Sequence, residues 1–351
     1  MSTSPPRRAR SLVVDSAEPS DRSVNRYLLD GDGPLRRRRL FPIWAFPETA
    51  DATTDEQNYV EYFRGDLPIV LVVPHDGSEA PDDLTQRTTA RTGCRGGQFT
   101  TGRDTNTIAI ARAISSRLRD LSRAAPYLVA ATISRTYIDF NRDSQPQDCA
   151  YEQTSATATS SAQASTYWQA FYQKIEDFVD DMAARWPISR AFLIDIHGFG
   201  SATVNQSGNA INLSTIVLGL VNNRVLPLCF NDNVRTQNTW QNGFIYNAIT
   251  GFHTRLLARA QEGGYNVYPA AWNVPYAGGV PNGGFNVQRF ARRYQNPPTY
   301  GGPQAAPTRP IVDTVQLEFG SNLRGAGTRE TIAEIVAEAL WQSFLDHYWV
   351  G

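Results

Sequence analysis

Apolar runs of strand length alternate with helical patterns along most of the chain. They are rich in Val, Ile, Leu and Ala and occupy residues 68–73, 128–134, 191–196, 214–220 and 312–319. Continuous apolar runs of this length are typical of strands that are buried on both faces of a sheet. The order of strands and helices predicts a single α/β domain with a mixed, largely parallel sheet flanked by helices.

Three segments between or after these runs have the spacing of amphipathic helices. The first two are 108–121 and 167–182, where apolar residues recur every three or four positions. The third is predicted to begin at Thr328, with Glu330 in its first turn, where a negative charge is favourable. The Gly-, Pro- and Asn-rich segment 273–310 is long for a plain connector, and loops of that length are usually functional or mobile.

The N-terminal part of the chain differs from the rest. Residues 1–45 are rich in Arg, Pro and Ser, carry nine arginines against five acidic residues, and show no helical or strand periodicity. We therefore predict an N-terminal extension over 1–45 that is partly ordered at best. Residues 46–351 form the predicted α/β domain.

The overall composition excludes several classes of protein. The 351 residues carry 33 basic and 34 acidic side chains, a net charge of −1 that does not suggest binding to nucleic acid or to an anionic membrane. No apolar run approaches the roughly 20 residues needed to span a bilayer. Three cysteines without a C-x-x-C pair are too few for a disulfide framework, and no secretory signal is recognisable. These features predict a cytoplasmic protein that binds neither nucleic acid nor membrane.

Two of the four histidines share one sequence context. His75 and His197 each come just after a predicted buried strand and are followed by Asp-Gly or by Gly. The carboxyl ends of strands in open α/β sheets are where ligands bind. Two imidazoles at such an edge can share a Zn²⁺ ion with an oxygen ligand and leave a position open for water. The alternative is that each is an ordinary polar residue at a strand end that forms hydrogen bonds with its neighbours. His253 and His347 lie on predicted helices, and for them we expect only such a structural role.

The oxygen ligand of such a site has three candidates. Asp76 and Glu79 lie close to His75, and Asp104 comes just before the first helix. On position alone, Asp104 is better interpreted as an N-cap, because an Asp immediately before a helix commonly accepts hydrogen bonds from its first N–H groups.

Further candidate site residues follow two other strands. Arg135, Asn141 and Arg142 lie in segment 134–143, and their planar donors suit a carboxylate, although arginines paired to surface acids are an equal alternative. Glu318 ends a buried apolar strand, where a carboxylate is costly unless it has a partner or a task. The chain lacks the GxSxG, GxxxxGK[ST] and GxGxxG motifs, which argues against serine hydrolases, P-loop NTPases and simple Rossmann enzymes.

Six segments, in chain order, resemble the successive motifs of the N-formylglutamate amidohydrolase family. They extend from about residue 68 to 324 and are VPHDG, GRDTNTIAIARAI, ATISRTYIDFNRD, LIDIHG, GGFNVQRFARRY and VQLEFGSNLR. That family is similar in fold to the zinc carboxypeptidases, which implies a carboxypeptidase-like, phosphorylase/hydrolase-like domain here.

The resemblance implies a single Zn²⁺ ion held by His75, Asp104 and His197, which favours Asp104 as a ligand over Asp104 as a cap. Zinc carboxypeptidases use an H-x-x-E motif, and this chain has Ser78 in place of that glutamate. Glu79, one position further on, is then the reserve ligand.

The resemblance also assigns roles to other residues. Glu318 resembles the general base that activates water, whereas Arg135, Asn141, Arg142 and Arg289 resemble substrate-binding residues. The implied activity is zinc-dependent hydrolysis of an amide bond in a small substrate that bears a carboxylate, such as an N-formyl or N-acyl amino acid or a small peptide. The alternative is a non-catalytic binding protein of the same fold that recognises an acidic ligand or a protein partner.

Overall fold

A computed structural model describes most of the predicted domain. The described residues are 53–54, 59–87, 99–144, 149–152, 158–185, 190–204, 210–219, 251–270, 284–293 and 311–347. The predicted extension over 1–45 lies outside them, so its boundary with the domain stays a prediction.

Ten β-strands occur in the described residues. They are β1 (Thr53–Thr54), β2 (Val60–Phe63), β3 (Leu67–Val73), β4 (Pro126–Ala131), β5 (Arg190–Phe199), β6 (Thr203–Val204), β7 (Ala210–Ile211), β8 (Thr215–Gly219), β9 (Asn266–Tyr268) and β10 (Ile311–Gly320). Eight of them form one sheet in the order β1-β2-β4-β3-β5-β10-β8-β9, and β6 pairs with β7 separately. All five predicted apolar runs are strands of the main sheet.

The main sheet is mixed, as predicted. Its centre is parallel, because β3 pairs with both β4 and β5, and β5 pairs with β10. The antiparallel pairs are β1 with β2, β2 with β4, and β10 with β8. Every residue of β3 and β4 is buried, which agrees with the unbroken apolar character of these segments.

Five α-helices accompany the sheet. They are α1 (Thr107–Ser122), α2 (Ala158–Arg185), α3 (Phe252–Glu262), α4 (Phe285–Arg293) and α5 (Arg329–His347). The C-terminal helix thus begins one residue after the predicted Thr328 and has Glu330 in its first turn.

The helices cover both faces of the sheet. On β5, the Phe192 ring packs against Phe252 of α3, with ring centroids 6.0 Å apart. Three positions further along the strand, the Asp195 side chain contacts Asn286 of α4. Side chains separated by three positions in a strand point to opposite faces, so α3 and α4 lie on opposite sides. Helix α5 packs against α1 and α3.

Helix α4 corrects one prediction. Segment 273–310 was expected to be a loop, but residues 285–293 within it are helical. Thr314 of β10 donates a hydrogen bond of 3.1 Å to the backbone carbonyl of Val287, which fixes α4 against the sheet. The remainder of that segment, apart from Gly284, lies outside the described residues up to the start of β10.

The structure also changes the interpretation of the cysteines. Cys149 is disulfide-bonded, and the other two cysteines, Cys94 and Cys229, lie outside the described residues. Because a disulfide is typical of an oxidising environment, the cysteine content does not support the predicted cytoplasmic location. No helix among the described residues is long and apolar enough to cross a membrane.

Candidate metal centre

Strands β3 and β5 bring two histidines together at one edge of the sheet. His75 lies two residues after β3, and its ring centroid is 4.7 Å from that of His197. His197 lies within β5 rather than after it, because β10 pairs with β5 as far as Phe199. Both side chains are buried. The predicted meeting of the two imidazoles is therefore present in the fold.

Asp104 lies between the two rings. Its Oδ2 atom is 3.3 Å from Nδ1 of His75 and 3.2 Å from Nδ1 of His197. The same oxygen accepts a 3.2 Å hydrogen bond from the backbone N–H of Gly198. One ligand atom from each of His75, Asp104 and His197 lies within 4.8 Å of the other two. These three atoms are close enough to bind one metal ion.

The carboxylate that caps α1 is that of Asp76. Its Oδ1 accepts a 3.1 Å hydrogen bond from the N–H of Asn106, and its Oδ2 accepts one of 2.8 Å from Ile108. Capping thus occupies Asp76 and leaves the Asp104 side chain to the histidines. Glu79 is exposed and does not belong to the cluster of potential ligands.

A buried carboxylate holds the outer nitrogen of each histidine. Nε2 of His75 is 2.7 Å from Oδ1 of Asp139, and Nε2 of His197 is 2.9 Å from Oδ2 of Asp195. A carboxylate that accepts the N–H at Nε2 leaves the lone pair of Nδ1 directed toward the ligand side. Both rings therefore present Nδ1 to the space beside Asp104.

Asp139 is itself held by cationic side chains. Its Oδ2 accepts a 2.9 Å hydrogen bond from Nε of Arg135 and lies 3.5 Å from a guanidinium nitrogen of Arg87. Burial alone would raise the pKa of Asp139, but the charges of Arg135 and His75 hold that pKa well below its ordinary value. Asp139 is thus a fixed anion beside His75.

Asp195 belongs to a network that reaches α2 and α4. Asn286 donates to Oδ1 of Asp195 over 3.0 Å and accepts a 2.6 Å hydrogen bond from the hydroxyl of Tyr172. The Asn286 N–H also donates to the side chain of Asn141, whose amide nitrogen is 3.2 Å from Nε2 of His197. Two helices therefore contribute to the orientation of the second histidine.

Glu318 lies on β10 beside the metal ligands. Its Cα partner on β5 is His197, so the two side chains project from the same face of neighbouring parallel strands. Gln316 donates a 2.5 Å hydrogen bond to one Glu318 oxygen. Burial raises the pKa of Glu318 to about 7, with His197 acting against the shift and Asp104 adding to it. A carboxyl group with such a pKa can exchange a proton near neutral pH.

Three of the predicted substrate-binding residues lie around this centre. The Arg135 guanidinium is bound to Asp139, and the Asn141 amide contacts His197, so both residues support the histidines. Arg142 is half-buried and donates a 3.0 Å hydrogen bond to the backbone carbonyl of Asn141. Arg142 thus lies next to a residue that touches the ligand set.

The fourth, Arg289, lies on α4 and contacts α2. It donates a 3.1 Å hydrogen bond to Glu176, and its guanidinium carbon is 4.5 Å from the ring centroid of Tyr172. These contacts explain how α4 is attached to α2. In the structure, Arg289 is engaged with that helix rather than with the ligand set.

Sequence reasoning missed the two carboxylates behind the histidines. Asp195 precedes His197 by two positions in an apolar strand, and a period of two places both side chains on one face. This spacing could have identified Asp195 as a partner of His197. Asp139 lies within the already noted segment 134–143, but nothing in the sequence linked it to His75.

The donor set fits a divalent metal. Two imidazole nitrogens and one carboxylate oxygen are a common ligand set for Zn²⁺ in catalytic sites. Burial would lower the pKa of His197, yet the charge of Asp195 and the hydrogen bond with Asp104 raise it well above its ordinary value. The centre thus stabilises positive charge on His197, through the buried side chains of Asp195, Asp104 and Glu318.

Comparison with known proteins assigns the chain to a family. The sequence model of the family described as N-formylglutamate amidohydrolase matches residues 67–300, more than half of the chain. The chain belongs to the N-formylglutamate amidohydrolase family. This family consists of hydrolases that act on carbon–nitrogen bonds, and the matched range contains both histidines and Asp104 but ends before Glu318. No curated protein matches the chain.

Two solved structures are similar to the chain at low identity. The N-formylglutamate amidohydrolase from Ralstonia eutropha JMP134 is 18% identical, with a TM-score of 0.49, over 83% of this chain and 99% of that one. A gene product from Agrobacterium tumefaciens is 15% identical, with a TM-score of 0.48, over 82% of this chain and 94% of the other.

Proposed function

We propose that this family member is a zinc-dependent amidohydrolase that cleaves an amide bond in a small substrate bearing a carboxylate, such as an N-formyl or N-acyl amino acid or a small peptide. The observation that carries the proposal is that one ligand atom from each of His75, Asp104 and His197 lies within 4.8 Å of the other two, with Oδ2 of Asp104 3.3 Å and 3.2 Å from the two Nδ1 atoms. Support comes from the carboxylates behind both histidines, which are the usual partners of metal-binding imidazoles.

In this proposal His75, Asp104 and His197 hold the metal. A Zn²⁺ ion in such a site supplies Lewis acidity toward an amide carbonyl and toward water. The protein contributes the fixed orientation of both rings through Asp139 and Asp195. Both rings are buried, which restricts their movement and their contact with solvent.

We assign proton transfer to Glu318. As a general base it would accept a proton from the attacking water and then deliver it to the leaving nitrogen, so that no covalent intermediate with the protein is needed. Its location beside His197 and its raised pKa support this role. The hydrogen bond from Gln316 fixes one oxygen of the carboxylate and limits its rotation.

We assign the substrate carboxylate to Arg142. A guanidinium suits a carboxylate because its planar donors can bind both oxygens. Support for this role comes from the position of Arg142 next to Asn141, whose amide nitrogen is 3.2 Å from Nε2 of His197. Arg135 and Asn141 act in the proposal by supporting the histidines, and Arg289 by holding α4 in place.

Metal analysis together with a substrate panel tests the proposal. Protein reconstituted with Zn²⁺ and then dialysed should retain close to one equivalent and hydrolyse at least one N-formyl or N-acyl amino acid or dipeptide. Retention below about half an equivalent would refute it, because sites with three protein ligands bind Zn²⁺ tightly. Metal binding without hydrolysis of any member, combined with Arg142-dependent binding of one of them, would support a binding protein instead.

A further inference from the structure

Arg324 joins three parts of the structure behind the candidate metal centre. It follows β10 and the short 3-10 helix Ser321–Leu323, and it is buried. One terminal nitrogen of its guanidinium donates to the backbone carbonyl of Thr105, and the other donates to that of Phe199 over 3.2 Å. A single side chain thus connects the end of β5, the segment before α1 and the segment after β10.

Both carbonyls belong to residues close to proposed metal ligands. Thr105 directly follows Asp104, and Phe199 comes two positions after His197. The segment carrying Asp104 and the strand carrying His197 come from distant parts of the sequence, so a tertiary contact must fix their separation. Arg324 forms such a contact on both sides.

The cost of burying Arg324 indicates that its position matters. Within the described part of the chain it forms no salt bridge, and its charge is stabilised by the nearby charges of Asp104, Asp76 and Glu318 as well as by hydrogen bonds to two neutral carbonyls. A buried charge without an ion-pair partner is costly. The planar guanidinium can reach two separate acceptors at fixed positions, which a lysine ammonium cannot reproduce.

Gly198 makes room for this side chain. A Cβ atom at position 198 would lie 2.5 Å from the guanidinium carbon of Arg324 and 2.6 Å from one of its terminal nitrogens. Among the described glycines, only Gly264 has a positive φ, so the backbone at 198 would accept alanine, but the added Cβ would have to displace the Arg324 guanidinium. The Gly198 N–H also donates to Asp104, which an alanine would preserve.

We infer that Arg324 is a positioning residue that sets the separation of Asp104 and His197 and thereby the affinity of the centre for a divalent metal. The inference rests on the proposed function, since it concerns the same metal site. Arg324 acts through the backbone carbonyls of Thr105 and Phe199, and its guanidinium occupies the space that a Cβ atom at position 198 would take.

The test measures the Kd for Zn²⁺ by competition with a chromophoric chelator, and the free energy of unfolding of the metal-free protein by urea denaturation. Arg324→Ala should weaken Zn²⁺ binding by about 10–100-fold, the usual effect of losing a residue that orients metal ligands. Zn²⁺ binding should be weakened less in Arg324→Lys, since the ammonium group can replace one of the two hydrogen bonds to the backbone carbonyls.

Arg185→Ala provides a control at an exposed arginine that also links separate segments. Arg185 also joins separate segments, through the backbone carbonyl of Gly65 at 3.0 Å and the carboxylate of Asp66 at 2.7 Å, but at the opposite end of β3 from His75. This control should lose stability while its Kd for Zn²⁺ stays at the wild-type value. A merely structural Arg324 would behave like Arg185.

A double-mutant cycle with Gly198→Ala completes the test, and Gly198→Ala alone tests the inference if Arg324→Ala does not fold. Gly198→Ala alone should weaken Zn²⁺ binding because it displaces the guanidinium, whereas adding it to Arg324→Ala should cost little more, because the clash is gone. Wild-type affinity in folded Arg324→Ala or in Gly198→Ala would overturn the inference and leave the proposed function intact. Absence of Zn²⁺ binding by the wild type would overturn both.

Discussion

Oδ1 of Asp139 lies 2.7 Å from Nε2 of His75, and the other oxygen of this buried carboxylate accepts hydrogen bonds from Arg135. The carboxylate therefore bridges a proposed metal ligand and a buried cation. His197 has a comparable carboxylate in Asp195, but the second partner of Asp195 is the neutral amide of Asn286. The two histidines are thus oriented in the same way and embedded in different electrostatic surroundings.

Asp139→Asn should destabilise the metal-free protein strongly. The substitution leaves the buried charges of Arg135 and Arg87 without their carboxylate, and breaking such a pair costs about 3–5 kcal/mol. The free energy of unfolding in urea measures the effect. Asp120→Asn removes an exposed Asp–Arg pair and should cost less than about 1 kcal/mol. Equal losses in the two variants would show that Asp139 does not compensate buried charge.

The third metal ligand can be assigned by three alanine variants. Asp104→Ala should lose most of the bound Zn²⁺, because it removes the only carboxylate of the ligand cluster. Asp76→Ala should keep the metal and lose about 0.5–2 kcal/mol of stability, the usual cost of removing a helix cap. Glu79→Ala should change neither quantity. Stoichiometric Zn²⁺ in folded Asp104→Ala would transfer the ligand role to another oxygen.

Glu318→Gln should separate metal binding from catalysis. Glutamine preserves the volume but cannot accept a proton at neutral pH, so kcat should fall by about 10²–10⁴-fold while the Zn²⁺ content stays the same. Arg142→Ala is the comparison, since loss of a carboxylate clamp should mainly raise KM. A Glu318→Gln enzyme with more than about a third of the wild-type kcat would leave Glu318 as a structural residue.

The pH dependence of kcat/KM gives an independent test of Glu318. Burial raises the pKa of Glu318 to about 7, so the midpoint of the acidic limb of the kcat/KM profile should lie at or below pH 7. A bound cation favours the ionised carboxylate and would shift this midpoint to lower pH. Wild type and Arg142→Ala should share this limb. A limb that persists unchanged in the residual activity of Glu318→Gln would assign it to another group.

His253 should make stability depend on acidity. Burial lowers its pKa, and its Nε2 lies 2.7 Å from the backbone carbonyl of Pro269. Below the unfolded value of about 6.5, the unfolded chain takes up a proton that the folded chain resists. The contribution of His253 to the free energy of unfolding is therefore fully present above about pH 6.5 and is lost as the pH falls toward the pKa of His253 in the folded protein.

The matching variant is His253→Gln. Its deficit in the free energy of unfolding relative to wild type, measured in urea, should shrink between pH 7.5 and pH 5.5, because only the wild type loses the His253 contribution. All other titrating groups are common to both proteins. A deficit that is constant across this range would show that His253 does not resist protonation in the folded state.

Much of the fold follows from local patterns in the sequence. The run at 68–73 became β3 and the helical spacing at 108–121 became α1, because buried parallel strands and amphipathic helices each need a continuous, periodic apolar surface. Short edge strands such as β1 and β9 lack that signal. Helix α4 was missed because its Gly-, Pro- and Asn-rich surroundings resemble a loop, and its helical state depends on contacts with β10 and α2.

The sequence by itself indicated that His75 and His197 lie near the carboxyl ends of two buried strands, because each follows a largely apolar run and is followed by Asp-Gly or by Gly. Only the tertiary structure decided which carboxylates meet them. Asp76 caps α1 and Asp104 faces both rings, although position along the chain favoured the reverse. Hydrogen bonds between residues far apart in sequence depend on how the segments pack, and a local pattern carries no information about that packing.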